Sequence, residues 1–568
     1  MKSRRRLPRV VSLLWLGAVC AMAAGRPPNF LVVISDDQRP DTIAALGNPH
    51  IRTPHLDRLA RDGAAFTRAT CANPHCVPSR AEILTGCTGF RNGVQAATGK
   101  LRGDVTFWGD ALRRAGYHTW YAGKWMNDGS PKTRGYEETR GLFSSGGSGG
   151  KGFTVATDHK GARVTGYSGW TFKTDDGRVE LDKGIGLTAD TSRHIADAAI
   201  ELIQRKPARP FFLHVNFTAP HDPLIVPPPY EGRYAPDTMP LPRNFLPEHP
   251  FDHGNLKGRD ELLLPWPRTP GAIRRELAAY YAVIEDMDAQ LGRILAALDA
   301  AGQREHTVII FSSDHGLALG SHGLMGKQNQ YEHTIGVPLL MAGPGIPAGR
   351  RVDAQCYLRD LFPTTCELAG VPVPDTVEGR SLMPVLRGEV KEVYPHVVGC
   401  WQDVQRMIRE GNWKVICYPK AQRWQMFNVA NDPDELNDVL RDFASLGEYE
   451  QTLPKFTELR GKLIDWLTAN NDPLAEQLAG VRPAFEPEPG KPAVMVFGTG
   501  RPVAVPFTRG LTVTQAVRAT GAAVEKGRAT VWRLDGAREP ADLAQIATGK
   551  LPDPKLEAGE TVFVAKPK

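Results

Sequence analysis

Phe30-Leu31-Val32-Val33-Ile34-Ser35-Asp36-Asp37-Gln38 sets an unbroken apolar run, rich in β-branched residues, directly before two acids. A strand with one wet face would alternate apolar and polar residues. A continuous run reads instead as a parallel strand buried on both faces. The pattern returns twice: Pro210 to Phe217 ends at Ala219-Pro220-His221, and Thr307-Val308-Ile309-Ile310-Phe311 ends at Ser312-Ser313-Asp314-His315-Gly316. Between these two, Leu277, Tyr280, Tyr281, Ile284, Leu291, Ile294 and Leu298 recur at helical spacing across Ile273 to Leu298. Strands alternating with helices predict an α/β fold, a large and mostly parallel sheet sandwiched by helices. Ligands of such sheets bind beyond the carboxyl ends of the strands. All three strands deliver polar groups at that end.

The chain has 568 residues, too many for one ordinary core, so two or more domains are expected. Residues 1–24 read as a signal peptide: Lys2, Arg4, Arg5, Arg6 and Arg9 precede an apolar run from Val10 to Ala24. That run is short for a span, which favours cleavage over a stable membrane anchor and predicts a periplasmic or extracellular protein. Ser3-Arg4-Arg5-Arg6-Leu7 also resembles a twin-arginine signal. The formal charge of +6 falls to about +1 once the five basic residues of this leader are removed. No basic field is left to recruit nucleic acid. Eight cysteines are scattered without a CxxC pair, so neither a structural zinc site nor a disulfide connectivity is dictated.

A catalytic region over residues 25–387 is followed by a different pattern at 388–476. Gln405 to Arg409 and Trp413 to Tyr418 read as paired antiparallel strands, and Pro454 to Leu467 as an amphipathic helix with its proline in the first turn. Residues 477–492 form a Pro-rich segment expected to be an extended linker. Residues 493–568 carry a further complete pattern of short strands around a helix from Thr512 to Ala519.

The chemistry concentrates in a few places. Asp36, Asp37 and Asp314 are aimed by strands at one sheet edge, where neighbouring carboxylates repel unless a cation intervenes. Seen alone, such loop acids are more often simply solvated. With His315 they make a mostly hard-oxygen donor set suited to Ca²⁺ or Mg²⁺. Cys76-Val77-Pro78-Ser79-Arg80, followed by Leu84-Thr85-Gly86, has the form C-x-P-x-R. Alone, Cys76 could equally be a small buried hydrophobe.

Together these segments resemble the type I sulfatases of the alkaline phosphatase superfamily, across roughly Pro28 to Ala475. The resemblance implies that Cys76 is converted to formylglycine by a formylglycine-generating enzyme. It implies one divalent ion held by Asp36, Asp37, Asp314, His315 and the side chain of residue 76; Ca²⁺ is preferred to Mg²⁺ because a flexible oxygen cage tolerates bidentate carboxylates. Arg80 would stabilise the hydroxyls of the aldehyde hydrate and Asp314 would activate one of them to attack sulfur, the second then ejecting sulfate. Gly123-Lys124-Trp125 and Gly326-Lys327 resemble the family's sulfate-clamping lysines, and Ala219-Pro220-His221-Asp222 the segment that meets the leaving oxygen. One position departs: Met126 stands where family members commonly carry a histidine that assists sulfate release. A thioether cannot move a proton, and His75 is the neighbouring substitute; Met126 is then read as part of the substrate subsite.

The implied substrate is a sulfated carbohydrate. The loop from Pro220 to Thr269, with His249, His253, Arg259 and Trp266, is the expected specificity element; a structural crossover is the alternative. Two other functions stay open, a glycan-binding pseudosulfatase and a phosphate or phosphonate ester hydrolase. Cys76 disfavours the latter, because phosphatases of this fold use serine or threonine. Val496-Phe497-Gly498, Leu511 to Val517 and Leu556 to Val564 resemble soluble-ligand-binding β-grasp domains of polysaccharide-export proteins, which implies glycan contact. A small appendage that packs or tethers is the plainer reading.

Overall fold

The structure, a computed structural model, describes residues 26–146, 158–161, 166–440, 446–483, 493–498, 503–524, 527–534 and 537–564. The expected signal peptide and residues 484–492 of the expected linker lie outside the described residues. The strands run in chain order from β1 (Asn29–Ser35), β2 (Ala64–Phe66), β3 (Ala69–Thr70), β4 (His118–Lys124), β5 (Glu138–Ser144) and β6 (Thr171–Lys173) to β7 (Phe211–Asn216), β8 (Thr307–Ser313), β9 (Leu339–Ala342), β10 (Arg350–Val352) and β11 (Cys356–Tyr357). Nine of them make one sheet in the order β10-β2-β9-β8-β1-β7-β4-β5-β6, while β3 and β11 pair separately. Every pairing within β8-β1-β7-β4-β5 is parallel. β9 and β6 join that block antiparallel at its two sides.

All seven residues of β1 are buried, as its unbroken apolar run requires. Phe30, Val32 and Ile34 enter one core layer with Ala81, Leu84 and Trp108, whereas Leu31 and Val33 enter the other with Ile195, Leu202 and Leu291. The first layer includes the helix Cys76–Thr85, buried along its whole length. The second includes the 31-residue helix Pro270–Ala300, which starts from Thr269 as N-cap, its hydroxyl accepting from Ala272 N, with proline at the first position.

The antiparallel reading of the next region holds as β12 (His396–Trp401), β13 (Gln405–Glu410), β14 (Trp413–Tyr418) and β15 (Arg423–Asn428), neighbours in sequence and in the sheet. The helix expected to begin at Pro454 begins instead at Leu446 and carries Pro454 inside it. An internal proline costs about 3 kcal/mol. Phe456, Leu459, Leu463 and Leu467, packed on the sheet residues Val415, Trp424 and Met426, offset that cost. Residues 477–483 are not an extended linker either. The helix Ala475–Gly480 occupies the start of this segment, with Leu478 and Val481 fully buried.

A final sheet has the order β17-β16-β20-β18-β19, from β16 (Ala493–Phe497), β17 (Val503–Pro506), β18 (Arg528–Trp532), β19 (Arg538–Asp542) and β20 (Thr561–Val564). β16 and β20 are its central parallel pair. Val494, Val496, Val531 and Val562 face the helix Val513–Ala519 in a core of their own. Met495, Phe497 and Phe563 point the other way and join the core around Trp424 and Phe456. This sheet is therefore docked on the preceding subdomain rather than merely strung from it. Among the described residues no helix is long and apolar enough to cross a membrane, and the seven described cysteines are unpaired thiols.

Candidate active site

β1, β7 and β8 are adjacent and in register, Ile34 lying opposite both Asn216 and Ser312, so their carboxyl ends open side by side. Asp36 N donates to Ala219 O and Asp314 N to Ser35 O, which ties the three exits together. Asp37 turns the chain in the left-handed region, with φ 66°. The helix Cys76–Thr85 meets this edge with its first residue, and Ser79 Oγ donates to Asp314 O at 2.6 Å.

The Cys76 Sγ lies 3.3 Å from His315 Nε2 and 3.5 Å from Asp36 Oδ1. Burial, with Asp36 adding to it, pushes this thiol up to about 12. It therefore stays protonated at neutral pH and is a poor nucleophile as cysteine. Arg80 Nε donates to Asp314 Oδ2 at 2.9 Å and its Nη1 to Asn216 Oδ1 at 2.5 Å. Lys124 Nζ donates to Asp36 Oδ2, and Lys327 Nζ lies 3.0 Å from both carboxylate oxygens of Asp37.

Burial opposes charge on both neighbouring acids, and their partners decide the outcome. The charges of Lys124 and Arg80 win at Asp36 and hold its carboxyl well below the usual range. At Asp37 burial wins over Lys327 and His315, leaving that carboxyl well above it. His221 extends the site: its Nε2 lies 3.9 Å from Asp37 Oδ2 and its Nδ1 3.2 Å from Asp222 Oδ1. Arg259 Nη1 donates at 2.7 Å to both Asp222 and Asp260, and Asp260 Oδ2 lies 3.9 Å from Lys327 Nζ. The contacts close into a polar ring, Lys327-Asp37-His221-Asp222-Arg259-Asp260, in which burial with the Lys327 charge pushes the His221 imidazole down to about 4 and keeps it neutral.

One ligand atom from each of Asp36, Asp37, Cys76 and His315 falls within 4.8 Å of the others. Two carboxylates and one imidazole, all fully buried, fit a divalent cation. Asp314 stands beside this quartet, its Oδ1 3.6 Å from His315 Nε2 and its other oxygen on Arg80.

Residues 28–371 match the Sulfatase family, and residues 320–460 match the C-terminal region of N-sulphoglucosamine sulphohydrolase. The chain belongs to the sulfatase family. It is a hydrolase of sulfate esters. A sulfatase of Formosa agariphila is 28% identical over 440 residues, 73% of this chain and 83% of that one. A structure solved with its substrate D-glucosamine-2-N,6-O-disulfate superposes with TM-score 0.61 at 23% identity, over 81% of this chain and 99% of that one. The phosphonate monoester hydrolase of Agrobacterium radiobacter shares the fold too, with TM-score 0.62 at 24% identity, over 77% and 96% of the two chains. Both family matches end before the sheet of β16 to β20.

Within this sulfatase Asp36, Asp37, Cys76, Arg80, Lys124, His221, Asp314, His315 and Lys327 thus share one buried cluster. Met126 is half-buried and packs against the core layer of Trp125 and Tyr121. His75 Nδ1 is buried without a hydrogen-bond partner among the described residues. Of the expected specificity loop, Arg259 reaches the site, whereas His249 pairs with Tyr331 at 3.2 Å and His253 with Gln405 at 3.3 Å. His253 joins the loop to the C-terminal subdomain and His249 ties it back to the catalytic region, as a structural crossover would, and Trp266 stacks on Arg268 with 4.2 Å between guanidinium and ring centre. Sequence reading missed Asn216 and Tyr167. Asn216 had a signal, since it ends a strand that feeds the site. Tyr167 had none, lying between Gly166 and Ser168 in no recognisable motif.

Proposed function

We propose that this sulfatase is an exported enzyme that removes sulfate from a sulfated carbohydrate, with formylglycine made from Cys76 by a formylglycine-generating enzyme and one divalent ion, Ca²⁺ in preference to Mg²⁺. The setting of the Cys76 Sγ carries the reading, 3.3 Å from His315 and 3.5 Å from Asp36 at the head of a buried helix. An aldehyde hydrate at this position supplies two hydroxyls on one carbon, one to attack sulfur and one to release sulfate. Asp36, Asp37, Asp314 and His315 would hold a divalent ion, which would supply positive charge to the attacking group.

The chain's own residues do the rest. Arg80 holds the Asp314 carboxylate, which is set to take a proton from the attacking hydroxyl. Lys124 and Lys327 reach into the cluster from opposite acids, which supports their role as clamps for sulfate oxygens. His221, held at Nδ1 by Asp222, presents Nε2 towards the cluster and is suited to meet the leaving oxygen. The structural relative bound to a sulfated glucosamine supports a sugar as the group left behind. The sheet of β16 to β20 has a parallel central pair packed on the helix Val513–Ala519, with a second short helix at Leu543–Ala547, an arrangement that supports either glycan contact or a docking role.

Peptide mass spectrometry at residue 76, with aryl sulfate and aryl phosphate assayed in parallel, tests the proposal. Formylglycine and sulfate preference are expected. Full activity with only unmodified Cys76 would overturn the nucleophile. Phosphate preference would favour the phosphonate-type chemistry, and an inert protein carrying formylglycine would favour a glycan-binding pseudosulfatase.

A further inference from the structure

We propose that Tyr167 is a positioning residue of this site: its hydroxyl fixes the Asp36 carboxylate for the divalent ion, and its ring supports Lys124 and His221. The inference rests on the ion site proposed above. Tyr167 Oη donates to Asp36 Oδ2 at 2.7 Å, the same oxygen that takes Lys124 Nζ. Two donors on one oxygen stop the carboxylate from rotating. They leave Oδ1 turned to the Cys76 Sγ at 3.5 Å, inside the quartet of ligand atoms. Outer partners of this kind orient ligating carboxylates and raise metal affinity.

The ring makes two further contacts. Lys124 Nζ lies 5.0 Å from its centre, in cation–π geometry. The His221 ring packs edge-on at 4.7 Å, with 61° between planes. One side chain thus touches a proposed ion ligand, a proposed sulfate clamp and the proposed leaving-group histidine.

The backbone singles out the same residue. Tyr167 has φ 56°, one of nine non-glycine residues among those described with positive φ, and Asp37 is another. A bulky aromatic in this region is strained, and strain of this sort persists where the surroundings impose it. Trp170 N donates to Tyr167 O at 3.0 Å, and the Trp170 ring stands edge-on to Tyr167 at 4.9 Å. Before it, a Cβ at Gly166 would lie 2.7 Å from both Arg259 Nη2 and Asp222 O, so glycine lets the Asp222–Arg259 pair press against this turn. A residue serving only to fill the core would need neither a hydroxyl aimed at a buried acid nor a strained turn to aim it.

The test uses the full chain and Ca²⁺ as probe. Tyr167→Phe keeps the ring and removes the hydroxyl. Its Ca²⁺ dissociation constant, by calorimetry, is expected to rise about 10–100-fold, with the melting temperature of the EDTA-treated protein unchanged. Activity on an aryl sulfate should fall at low Ca²⁺ and return as Ca²⁺ is raised, a rescue that a purely structural lesion would not show. Tyr167→Leu, lacking the ring as well, should in addition raise KM several-fold at saturating Ca²⁺. Wild-type Ca²⁺ affinity in Tyr167→Phe would overturn the inference if Asp36→Ala abolishes binding. Unchanged Ca²⁺ binding in Asp36→Ala would instead overturn the ion site itself.

Discussion

Lys327 Nζ is equidistant, at 3.0 Å, from the two carboxylate oxygens of Asp37, and neither group is exposed to solvent. Breaking a buried pair by removing one partner costs about 3–5 kcal/mol, because the survivor is left charged and dry. Asp37→Asn is the milder probe, since its amide oxygen can still accept from Lys327. Elemental analysis of purified Asp37→Asn should show the divalent ion lost. Turnover of an aryl sulfate should fall at least about 1,000-fold, by loss of a charged ion ligand. Retention of stoichiometric ion and normal turnover would remove Asp37 from the ion site.

His221 should matter in proportion to how badly the leaving group needs a proton. A p-nitrophenolate leaves unaided, whereas an alkoxide of a sugar does not. His221→Ala is expected to slow p-nitrophenyl sulfate by no more than about 10-fold, but poorer leaving groups by about 100–1,000-fold. Asp222→Asn should give the same slope in weaker form, because Nδ1 of His221 lies 3.2 Å from the Asp222 carboxylate. Equal losses across a series of aryl and alkyl sulfates would assign His221 to sulfate binding instead.

The pH dependence of stability has a marker away from the site. The His322 ring stacks on Tyr331 at 4.0 Å and 13°, and burial with the Lys414 charge pushes its imidazole down to about 3. A depressed pKa means that the unfolded chain binds the proton first. The contribution of neutral His322 is complete above about 6.5 and is lost as pH falls through the folded value. Relative to His322→Phe, wild type should lose about 2 kcal/mol between pH 7.5 and 5. Urea unfolding at the two values measures it. A difference independent of pH would mean that His322 is already solvated.

Loss of the last sheet should cost stability before it costs chemistry. Met495, Phe497 and Phe563 are nearly or fully buried against Trp424 and Phe456. Each large apolar side chain so buried contributes about 1.5–3 kcal/mol. A chain ending at Pro483 should unfold at lower denaturant, yet turn over a small aryl sulfate at close to the full rate, as no site residue lies beyond it. Weaker action on a sulfated polymer alone would identify glycan contact through lost effective concentration. Lost activity on the aryl sulfate in a folded, truncated chain would place a site contribution in this sheet.

The fold was legible because burial on both faces leaves an unmistakable mark. The runs at Phe30 and Thr307 have no polar position inside them to alternate with, and in the run at Phe211 the polar His214 and Asn216 are buried as well, so parallel strands covered on both faces fit them. The site followed from where those strands end. What escaped was set by packing across the chain rather than by local pattern. Pro454 carries a local helix-breaking signal, overridden by the four apolar residues that follow it onto the sheet. Tyr167 gains its meaning from Asp36, 131 residues away. The docking of β16 and β20 depends on a face of the sheet whose partner no short window contains. His249 and His253 looked like site residues by type alone, and their partners proved to be Tyr331 and Gln405.

Met126 is the remaining test, because the structure changes what it predicts. Residue 126 packs half-buried on the apolar layer around Trp125. An imidazole there would bury polar atoms in an apolar layer, so Met126→His is expected to destabilise by about 1–3 kcal/mol and to leave sulfate release no faster. His75 is the better-placed acceptor: it precedes Cys76 directly, its Nδ1 is buried without a partner, and burial with the Lys327 charge pushes its imidazole down to about 3. It is therefore neutral at working pH, with an unpartnered ring nitrogen that can accept a hydrogen bond, although so depressed an imidazole is a weak base. Rapid-quench kinetics on an aryl sulfate should show no burst in wild type. In His75→Ala a burst of about one equivalent of phenol per site should precede a slow steady state, since only the release step is impaired. A burst in wild type that disappears in Met126→His would reverse the assignment and make position 126 the missing acceptor.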